Sequence, residues 1–431
     1  MKKKLIFPLC AGLILGISVI LISLAAGGDS TPGPYEAYYR NIIVYPHDTQ
    51  PGYHVEVQGV AHDQDHWYIT QQDALWKIPV EFDLDDLPDS DLIRVKGIVD
   101  VSAICSLGYD HFGDLDYYNF NGSGYLVIPI EDTDDTCGEQ AAPYAFAIFK
   151  TNYNLDFVGF DTIDTNDGSW IAVDKAGKIV TSPSWTNTTS LVTYDYNWAG
   201  AAQSPPVVDF TLTMTNTLED WDKQPLNIHR SQGAAFSESG ELLYVAADGD
   251  NDLSIPCAIH VFDTTGTNWR RIAVSSQQEG APFYYSCDTS WNIAEESEGV
   301  DYWDLDNGRA PNIRGQLHVL QLDNETFDSD DTIFFEHFTN VIHVDRAYGG
   351  GDGDGTVMRP YTTTHQAQQL AWHGSKIKIQ GGAYPEAVTF SKYIQVSVKD
   401  GAAVLGPERS LWISKDGAIN LSAMGQVKVF P

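Results

Sequence analysis

The sequence predicts an all-β fold, and three observations support that prediction. First, the 431 residues include 37 Gly, 22 Tyr, 18 Phe and 11 Trp but only 4 Met, a composition that favours strands and turns over long helices. Second, short runs of alternating apolar residues, bounded by Gly, Asp, Asn and Pro, recur from residue 50 to 343 without a convincing helical period. Third, a strand–turn–strand phrase recurs at similar intervals, which indicates a repeat architecture.

The recurring phrase opens on a glycine. It is clearest at Gln58-Gly59-Val60-Ala61-His62 and at Gln232-Gly233-Ala234-Ala235-Phe236, and weaker copies follow Gly113, Gly168 and Gly299. The five glycines are separated by steps of 54, 55, 65 and 66 residues. A period of this length with several strands per unit is typical of a β-propeller with five blades, or six if residues 191–228 contain another. A pair of β-sandwiches is the alternative, but it would not repeat the same opening phrase.

The N-terminus has the pattern of an export signal. Lysines at positions 2–4 precede an uncharged, mostly apolar run over residues 5–26, and Ser23 and Ala25 fit cleavage after Ala25 or Ala26. A run of this length could also span a bilayer as an uncleaved anchor. Either way the sequence predicts an extracytoplasmic protein, secreted, periplasmic or anchored to the cell surface, that meets a membrane only through this segment.

Four cysteines follow the predicted signal. An even number of cysteines in an oxidising compartment favours two disulfides, and the similar separations of 32 and 30 residues favour Cys105 with Cys137 and Cys257 with Cys287. Free thiols or a metal site are the alternatives, although no C-x-x-C pair supports a metal site.

The charge of the chain limits its partners. Acidic residues outnumber basic ones by 59 to 25, which gives a formal net charge of −34. Such a surface repels phosphate backbones, so we expect no nucleic-acid partner. The expected partner is an extracellular glycan or protein, because the many Trp and Tyr side chains can stack on sugar rings.

Polar residues flank the repeated glycines. In a propeller the innermost strand of every blade lines one channel, so these positions converge. The candidates for one polar cluster are Gln58, His62, His111, Asp114, Asp116, Gln232, Glu298 and Asp301. His62 and His111 are the candidate catalytic bases, and the carboxylates of Asp114, Asp116, Glu298 and Asp301 suit calcium. The alternative is that these side chains close the channel with hydrogen bonds and water.

The opening phrase also resembles that of the calcium-dependent lactonase and phosphotriesterase propellers of the senescence-marker and paraoxonase types. In those families an acidic residue before such a glycine points into the central channel and ligates a metal. Glu298-Gly299 matches that two-residue element. The resemblance therefore implies that Glu298 is a metal ligand and that calcium is the cofactor.

The composition changes near residue 348. The stretch Gly349-Gly350-Gly351-Asp352-Gly353-Asp354-Gly355-Thr356 predicts a boundary loop, residues 360–371 predict a short amphipathic helix, and alternating strands follow. Together with Gly382-Ala383-Tyr384-Pro385-Glu386 and Asp400-Gly401-Ala402, this region resembles the opening of a right-handed parallel β-helix of the pectin-lyase type. The resemblance implies a helix that caps a few stacked coils. The segment is too short for the long catalytic groove of that fold, and no paired Asp cluster is present.

The predicted domains are therefore a signal or anchor (1–26), a linker or first strand (27–49), a propeller (50–343), a Gly/Asp-rich linker (344–359) and a short β-helix module (360–431). Two functions are compatible with them. The first is an exported binding protein that recognises a glycan or protein through propeller loops. The alternative is a calcium-dependent propeller hydrolase of an ester, lactone or glycoside with the metal in the channel.

Overall fold

The computed structural model describes residues 39–47, 52–133, 136–138, 142–165, 168–248, 257–278, 281, 283–287, 289–290, 293–325, 332–371, 375–386, 388–390, 394–406, 411–413, 418–420 and 427–429. The predicted export signal lies outside these residues. Within them, no helix has both the length and the apolar character needed to cross a bilayer.

The described chain begins with strand β1 (Arg40–His47), followed by two antiparallel units. The first unit contains, in order, β2 (Val57–His62), β3 (His66–Gln71), β4 (Ala74–Pro79) and β5 (Arg94–Gly97). Helix α1 (Ser102–Cys105) connects it to the second unit, which contains β6 (His111–Phe112), β7 (Asp116–Phe120), β8 (Ser123–Glu131), β9 (Ala145–Lys150) and β10 (Phe157–Thr162). Both β6 and β7 pair with β8, so they act as one interrupted first strand.

The third unit contains β11 (Ala172–Val173), β12 (Ile179–Thr181), β13 (Ser190–Tyr196), helix α2 (Trp198–Ala201) and β14 (Phe210–Glu219). The fourth contains β15 (Ser231–Phe236), β16 (Leu242–Ala247), β17 (Ala258–Asp263) and β18 (Trp269–Val274). A short parallel pairing of β14 with β18 joins these two units at their outer edges. Strands β13 and β14 occupy the region where the sequence allowed for a sixth blade, and they belong to the third unit.

The fifth unit is built from both ends of the repeat region. It contains β19 (Thr289–Ser290), β20 (Ile293–Tyr302), β21 (Leu317–Glu325) and β22 (Thr332–Thr339). Strand β1 pairs antiparallel with β22 and forms the outer edge of this sheet. Because the first strand of the described chain completes the last unit, the ring is closed by hydrogen bonds between distant parts of the chain.

The units pack face to face around a ring. Alternate side chains of one strand point to opposite neighbours: Val60 packs in a cluster with Leu320 of the fifth unit, whereas Ala61 packs in a cluster with Leu126 of the second. Similar apolar clusters join the second unit to the third, the third to the fourth and the fourth to the fifth. The first strands also contact in a closed circuit, β2 to β7, β7 to β11, β11 to β15, β15 to β20 and β20 to β2. This is the arrangement of a β-propeller.

The close approach of these first strands explains four of the five repeated glycines; a Cβ on the fifth, Gly168, would meet only side-chain atoms at 3.4–3.5 Å. A Cβ atom on Gly233 would lie 2.1 Å from the carbonyl oxygen of Glu298, and one on Gly299 would lie 2.5 Å from the backbone nitrogen of Val60. At Gly59 and Gly113 a Cβ would likewise meet the backbone of the following unit. Each of these glycines therefore lets one unit contact the next at the centre of the ring.

The described strands of the C-terminal region form a five-stranded sheet and a separate two-stranded sheet. Strand β23 (Val341–Val344) pairs in parallel with β24 (Lys376–Tyr384), which pairs in parallel with β26 (Gln395–Leu405). The shorter strands are β25 (Val388–Phe390), β27 (Leu411–Ile413), β28 (Ala418–Asn420) and β29 (Val427–Val429). Strand β23 lies in the range predicted for the propeller, yet it pairs with β24 because its alternating apolar side chains pack with those of β24 and β26.

Helix α3 (Thr364–Leu370) is shorter than the helix predicted over residues 360–371. The side chain of Thr363 accepts a hydrogen bond from the backbone N–H of Gln366 and so caps the first turn. Tyr361 forms an isolated parallel bridge with Val344 instead of a helical turn. The start of the predicted helix is thus extended backbone that adds to the sheet.

Both predicted disulfides are present, joining Cys105 to Cys137 and Cys257 to Cys287. The first lies across a sequence separation of 32 residues. We expect a Cys105→Ser/Cys137→Ser variant to lose about 3–4 kcal/mol of unfolding free energy, because the cross-link restricts the unfolded chain. Urea denaturation under non-reducing conditions measures this loss, and an unchanged midpoint would contradict the assigned role.

Candidate active site

Gly59, Gly113, Gly233 and Gly299, where neighbouring units meet at the centre, form what we call the glycine ring. This ring separates the polar residues into two cavities. Positions that follow the glycines on the first strands line a first cavity of about 420 Å³, which includes His62, Asp116 and Asp301. Positions that precede the glycines line a second cavity of about 400 Å³, which includes His111 and Glu298. The sequence predicted one polar cluster, and the structure separates its members because the backbones meet at the glycines.

Asp114 lies between the two cavities and is 1% exposed. Its carboxylate accepts hydrogen bonds from the backbone N–H groups of Val60, Leu115 and Ala234 at 3.0–3.2 Å. These groups come from the first, second and fourth units. Burial is the main cause that raises the pKa of Asp114 well above its usual value. Asp114 therefore closes the centre of the ring with hydrogen bonds. For this residue the arrangement corresponds to the alternative given for the polar cluster, in which the side chains close the channel.

His62 and Asp301 form a hydrogen-bonded pair in the first cavity. Nδ1 of His62 lies 2.9 and 2.8 Å from the two carboxylate oxygens of Asp301, so the imidazole donates its Nδ1–H to them. The ring stacks on Trp303 with centroids 4.4 Å apart and an interplanar angle of 14°. Asp301 also accepts from the backbone N–H of Tyr302 at 2.9 Å. These contacts fix the orientation of the ring and place the proton of the neutral tautomer on Nδ1, so that Nε2 is the acceptor atom of that tautomer.

Asp116 lines the same cavity. Its carboxyl group accepts from the backbone N–H of Tyr117 at 2.6 Å and from that of Val173 at 2.5 Å. Burial is the main cause that raises its pKa to about 7; the negative charge of Asp301 adds to this effect, while the two N–H bonds and His62 oppose it. A substantial fraction of Asp116 is therefore protonated at neutral pH.

The first cavity thus brings together a proton acceptor and a proton donor. His62, oriented by Asp301, can accept a proton at Nε2, and protonated Asp116 can donate one. Aromatic side chains, including Tyr118, Phe236, Tyr302 and Trp303, form part of the wall. A carboxyl group with a pKa near the working pH is the property that general acid catalysis requires.

The second cavity contains the remaining candidates. Nε2 of His111 lies 3.0 Å from the side-chain oxygen of Gln58 and 3.9 Å from a carboxylate oxygen of Glu131. Gln232 accepts from the indole N–H of Trp185 at 2.7 Å. His111 is therefore separated from the pair of His62 and Asp301, and only His62 of the two predicted bases lines the first cavity.

The predicted calcium ligands do not converge. Glu298 lines the second cavity, Asp116 and Asp301 line the first, and the oxygens of Asp114 are bonded to backbone N–H groups. Across the described residues, no group of three or more His, Cys, Asp or Glu side chains could hold a metal ion. The four predicted ligands thus lie in different places, and calcium stays a prediction.

Sequence reasoning missed the aromatic wall of the first cavity. Phe236 and Tyr302 stand three positions after Gly233 and Gly299, just as His62 and Asp116 follow Gly59 and Gly113. The position three residues after each glycine was thus a sequence signal for side chains that line the first cavity. It did not reveal Tyr118 or Trp303, which stand five residues after Gly113 and four residues after Gly299.

Buried acids predict a pH-dependent stability. Burial raises the pKa of Asp116 and Asp248 to about 7 and that of Glu336 to about 8, whereas it lowers that of His260 to about 3 and of His318 to about 4. The unfolded histidines, with a pKa of about 6.5, are about half protonated at pH 6.5 and oppose the slope only near that end of the range. The buried acids retain protons only in the folded state up to pH 8 and outweigh them. We therefore expect the unfolding free energy to fall as the pH rises through this range.

Urea denaturation at pH 6.5, 7.25 and 8 measures this slope. Replacing Asp248 by Asn should reduce it, since each acid protonated only in the folded state contributes at most about 1.4 kcal/mol per pH unit. Asp195→Asn, at an exposed ion pair with Lys178, is the matched control. Stability that increases from pH 6.5 to 8 would be the contrary result.

Comparisons with known proteins return structural similarity only. Neither a family model nor a curated protein matches the sequence. Among solved structures, a luciferin-regenerating enzyme shares 14% identity, with 66% of this chain and 76% of that chain covered and a TM-score of 0.36. The glutaminyl cyclase of Myxococcus xanthus shares 11% identity (70% and 96% covered, TM-score 0.38), and a thermostable family-43 glycoside hydrolase shares 14% (67% and 91%, TM-score 0.37).

Proposed function

We propose that the protein is an exported hydrolase whose active site is the first cavity. The observation that carries this proposal is the presence of an oriented base, His62, and an acid with a pKa of about 7, Asp116, in one cavity of about 420 Å³. The proposed reaction is general acid–base hydrolysis of a glycoside, ester or lactone.

His62 activates the attacking water. Asp301 holds the Nδ1–H, so Nε2 removes a proton from water as the oxygen attacks the electrophilic carbon. The carboxylate of Asp301 then stabilises the imidazolium cation that forms. Trp303, stacked on the imidazole, restricts its rotation. Asp301 is therefore a positioning residue, and His62 is the base.

Asp116 protonates the leaving oxygen. Its protonated form gives a proton to that oxygen as the bond to the reacting carbon breaks, which avoids expulsion of an unstable alkoxide. The proton that His62 takes from water later returns to the carboxylate of Asp116 through solvent. The pair thus begins and ends each turnover in the same protonation states.

The cavity favours a carbohydrate substrate over an apolar ester. Its lining combines carboxylates and a lysine with aromatic side chains: Asp174, Lys175, Glu238 and Asp304 accompany Tyr118, Phe236 and Tyr302. Aromatic faces contact the C–H faces of sugar rings, and the polar groups can bond to hydroxyls. We propose a neutral glycoside, because the acidic wall repels anions.

The same site also supports a second candidate, a glycan-binding protein without catalysis. The aromatic side chains that favour a sugar substrate would serve binding equally well. The two candidates differ in turnover: a hydrolase releases reducing sugar from a bound glycoside, whereas a binding protein leaves it intact.

The number of propeller blades, the nature of the C-terminal module and the location of the protein are also parts of this proposal. The five units, with their first strands in a closed circuit, support a five-bladed propeller. The parallel pairing of β23, β24 and β26 supports a short β-helix that serves for docking and is limited to these strands, because β27 and β28 pair antiparallel with β26. The two disulfides are compatible with the predicted extracytoplasmic location. Calcium remains a prediction, and no step of the proposed mechanism requires it.

The pH dependence of kcat/KM tests the acid. Catalysis requires protonated Asp116, whose pKa is about 7. We therefore expect kcat/KM to fall tenfold per pH unit as the pH rises above this pKa. Release of reducing sugar from a panel of neutral aryl glycosides supplies the measurement. No hydrolysis of any glycoside, ester or lactone in such a panel would refute the enzyme and leave the binding function.

A further inference from the structure

The second cavity has chemistry that the proposed hydrolase does not use. It lies on the opposite side of the glycine ring from His62 and has a volume of about 400 Å³. Four glutamates line it, namely Glu56, Glu131, Glu296 and Glu298. The cavity therefore concentrates carboxyl groups within a confined space.

Glu298 is the buried side chain on the wall of this cavity for which a ligand can act as hydrogen-bond partner. It is 4% exposed, and it makes no hydrogen bond to any of the described residues. Its oxygens do not count among the fully buried unpaired polar atoms, so they are accessible from the cavity. Its location on the cavity wall indicates that a ligand can supply the missing bond.

The neighbouring charges favour a cation as this ligand. Arg230 lies 2.7 Å from Glu296 and 3.7 Å from the buried Asp248, so its charge is already shared between two carboxylates. Burial, Glu296, Asp248 and Asp114 raise the pKa of Glu298, while Arg230 opposes them. A bound cation would stabilise the ionised form of Glu298.

The geometry favours an organic ammonium over a metal ion. Within the part of the chain that the structure describes, no set of three or more His, Cys, Asp or Glu residues could hold a metal. The side-chain oxygen of Gln58 faces His111, and that of Gln232 accepts from Trp185, so their amide N–H groups remain to contact a ligand. An ammonium donor for Glu298, with hydroxyl acceptors for these amides, meets both requirements.

We propose that the second cavity binds a small polar molecule that carries a primary ammonium group, of the amino-sugar or diamine class, with Glu298 as the anionic partner of the ammonium. The site is separate from the catalytic cavity and does not depend on the proposed hydrolase.

Isothermal titration of the full chain tests this proposal with glucosamine, 1,4-diaminobutane, N-acetylglucosamine and calcium as separate probes. We expect glucosamine, the diamine or both to bind, and N-acetylglucosamine, which lacks the charge, to bind at least tenfold more weakly than glucosamine. Binding of glucosamine identifies the amino-sugar class, and binding of the diamine alone identifies the amine class.

Glu298→Gln should weaken binding of the ammonium probe at least tenfold. This variant should fold, because Gln58 and Gln232 occupy the equivalent positions before Gly59 and Gly233; its thermal midpoint verifies this. Asp301→Asn, in the other cavity, should retain binding. Absence of ammonium binding, equal binding of N-acetylglucosamine, an unchanged affinity in Glu298→Gln, or Glu298-dependent binding of calcium alone would each overturn the proposal.

Discussion

Replacing Asp116 by Asn is expected to lower kcat about 10³-fold on glycosides with poor leaving groups, within the range that general acids contribute. Asn keeps the shape of the side chain but has no proton to give. On an activated substrate such as a dinitrophenyl glycoside, whose leaving group needs little protonation, the loss should be less than tenfold. The ratio of the two losses therefore reports on proton donation rather than on folding.

Asp195→Asn is the matched control for this variant. Asp195 lies on β13, and its carboxylate is 54% exposed beside Lys178. It should leave both activities unchanged. Equal losses of Asp116→Asn on activated and unactivated substrates would contradict the role of Asp116 as the acid. Unchanged glycan affinity in Asp116→Asn, measured by titration, would show that substrate binding is intact.

Replacing Gly299 by Ala is expected to lower the unfolding free energy by about 3 kcal/mol or more, the upper range of overpacking effects. The new Cβ would lie 2.5 Å from the backbone nitrogen of Val60 and 2.8 Å from Cα of Gly59. Both are backbone atoms of the first unit, so relief requires the fifth and first units to separate. Denaturant titration followed by tryptophan fluorescence measures the effect.

Gly349→Ala provides the comparison. A Cβ at Gly349 meets no atom within 4 Å, so the same chemical change should alter stability by less than about 0.5 kcal/mol. If Gly299→Ala were as stable as Gly349→Ala, the close approach of units at the glycine ring would be wrong.

The repeat could be predicted from the sequence because its cause is local. Gly59, Gly113, Gly233 and Gly299 are required where neighbouring backbones meet, so they recur at one place in four of the five units. The alternation of apolar residues has a similar origin, because each strand packs against two neighbours. The disulfides followed from an even number of cysteines at similar separations.

The candidate site was predicted only in part, because sequence gives a position along a strand but not the side of the ring. Asp116 and Glu298 were placed in one cluster, yet one follows its glycine and the other precedes it. At about 3.3 Å per residue, a few positions move a side chain from one cavity to the other. The pairing of His62 with Asp301 likewise depends on contact between the first and fifth units, which are 239 residues apart in sequence.

The most direct test of the proposed catalytic site is the pKa of Asp116 itself, which requires no knowledge of the substrate. Carbon-13 NMR of protein labelled at the Asp carboxyl groups, recorded from pH 4 to 9, would identify the Asp116 resonance by its absence from Asp116→Asn. The proposed mechanism predicts a pKa of about 7, lowered in Asp301→Asn, where a nearby negative charge is removed. A pKa near 4 in the wild-type protein would contradict it, because Asp116 would then be ionised at neutral pH and could not act as the acid.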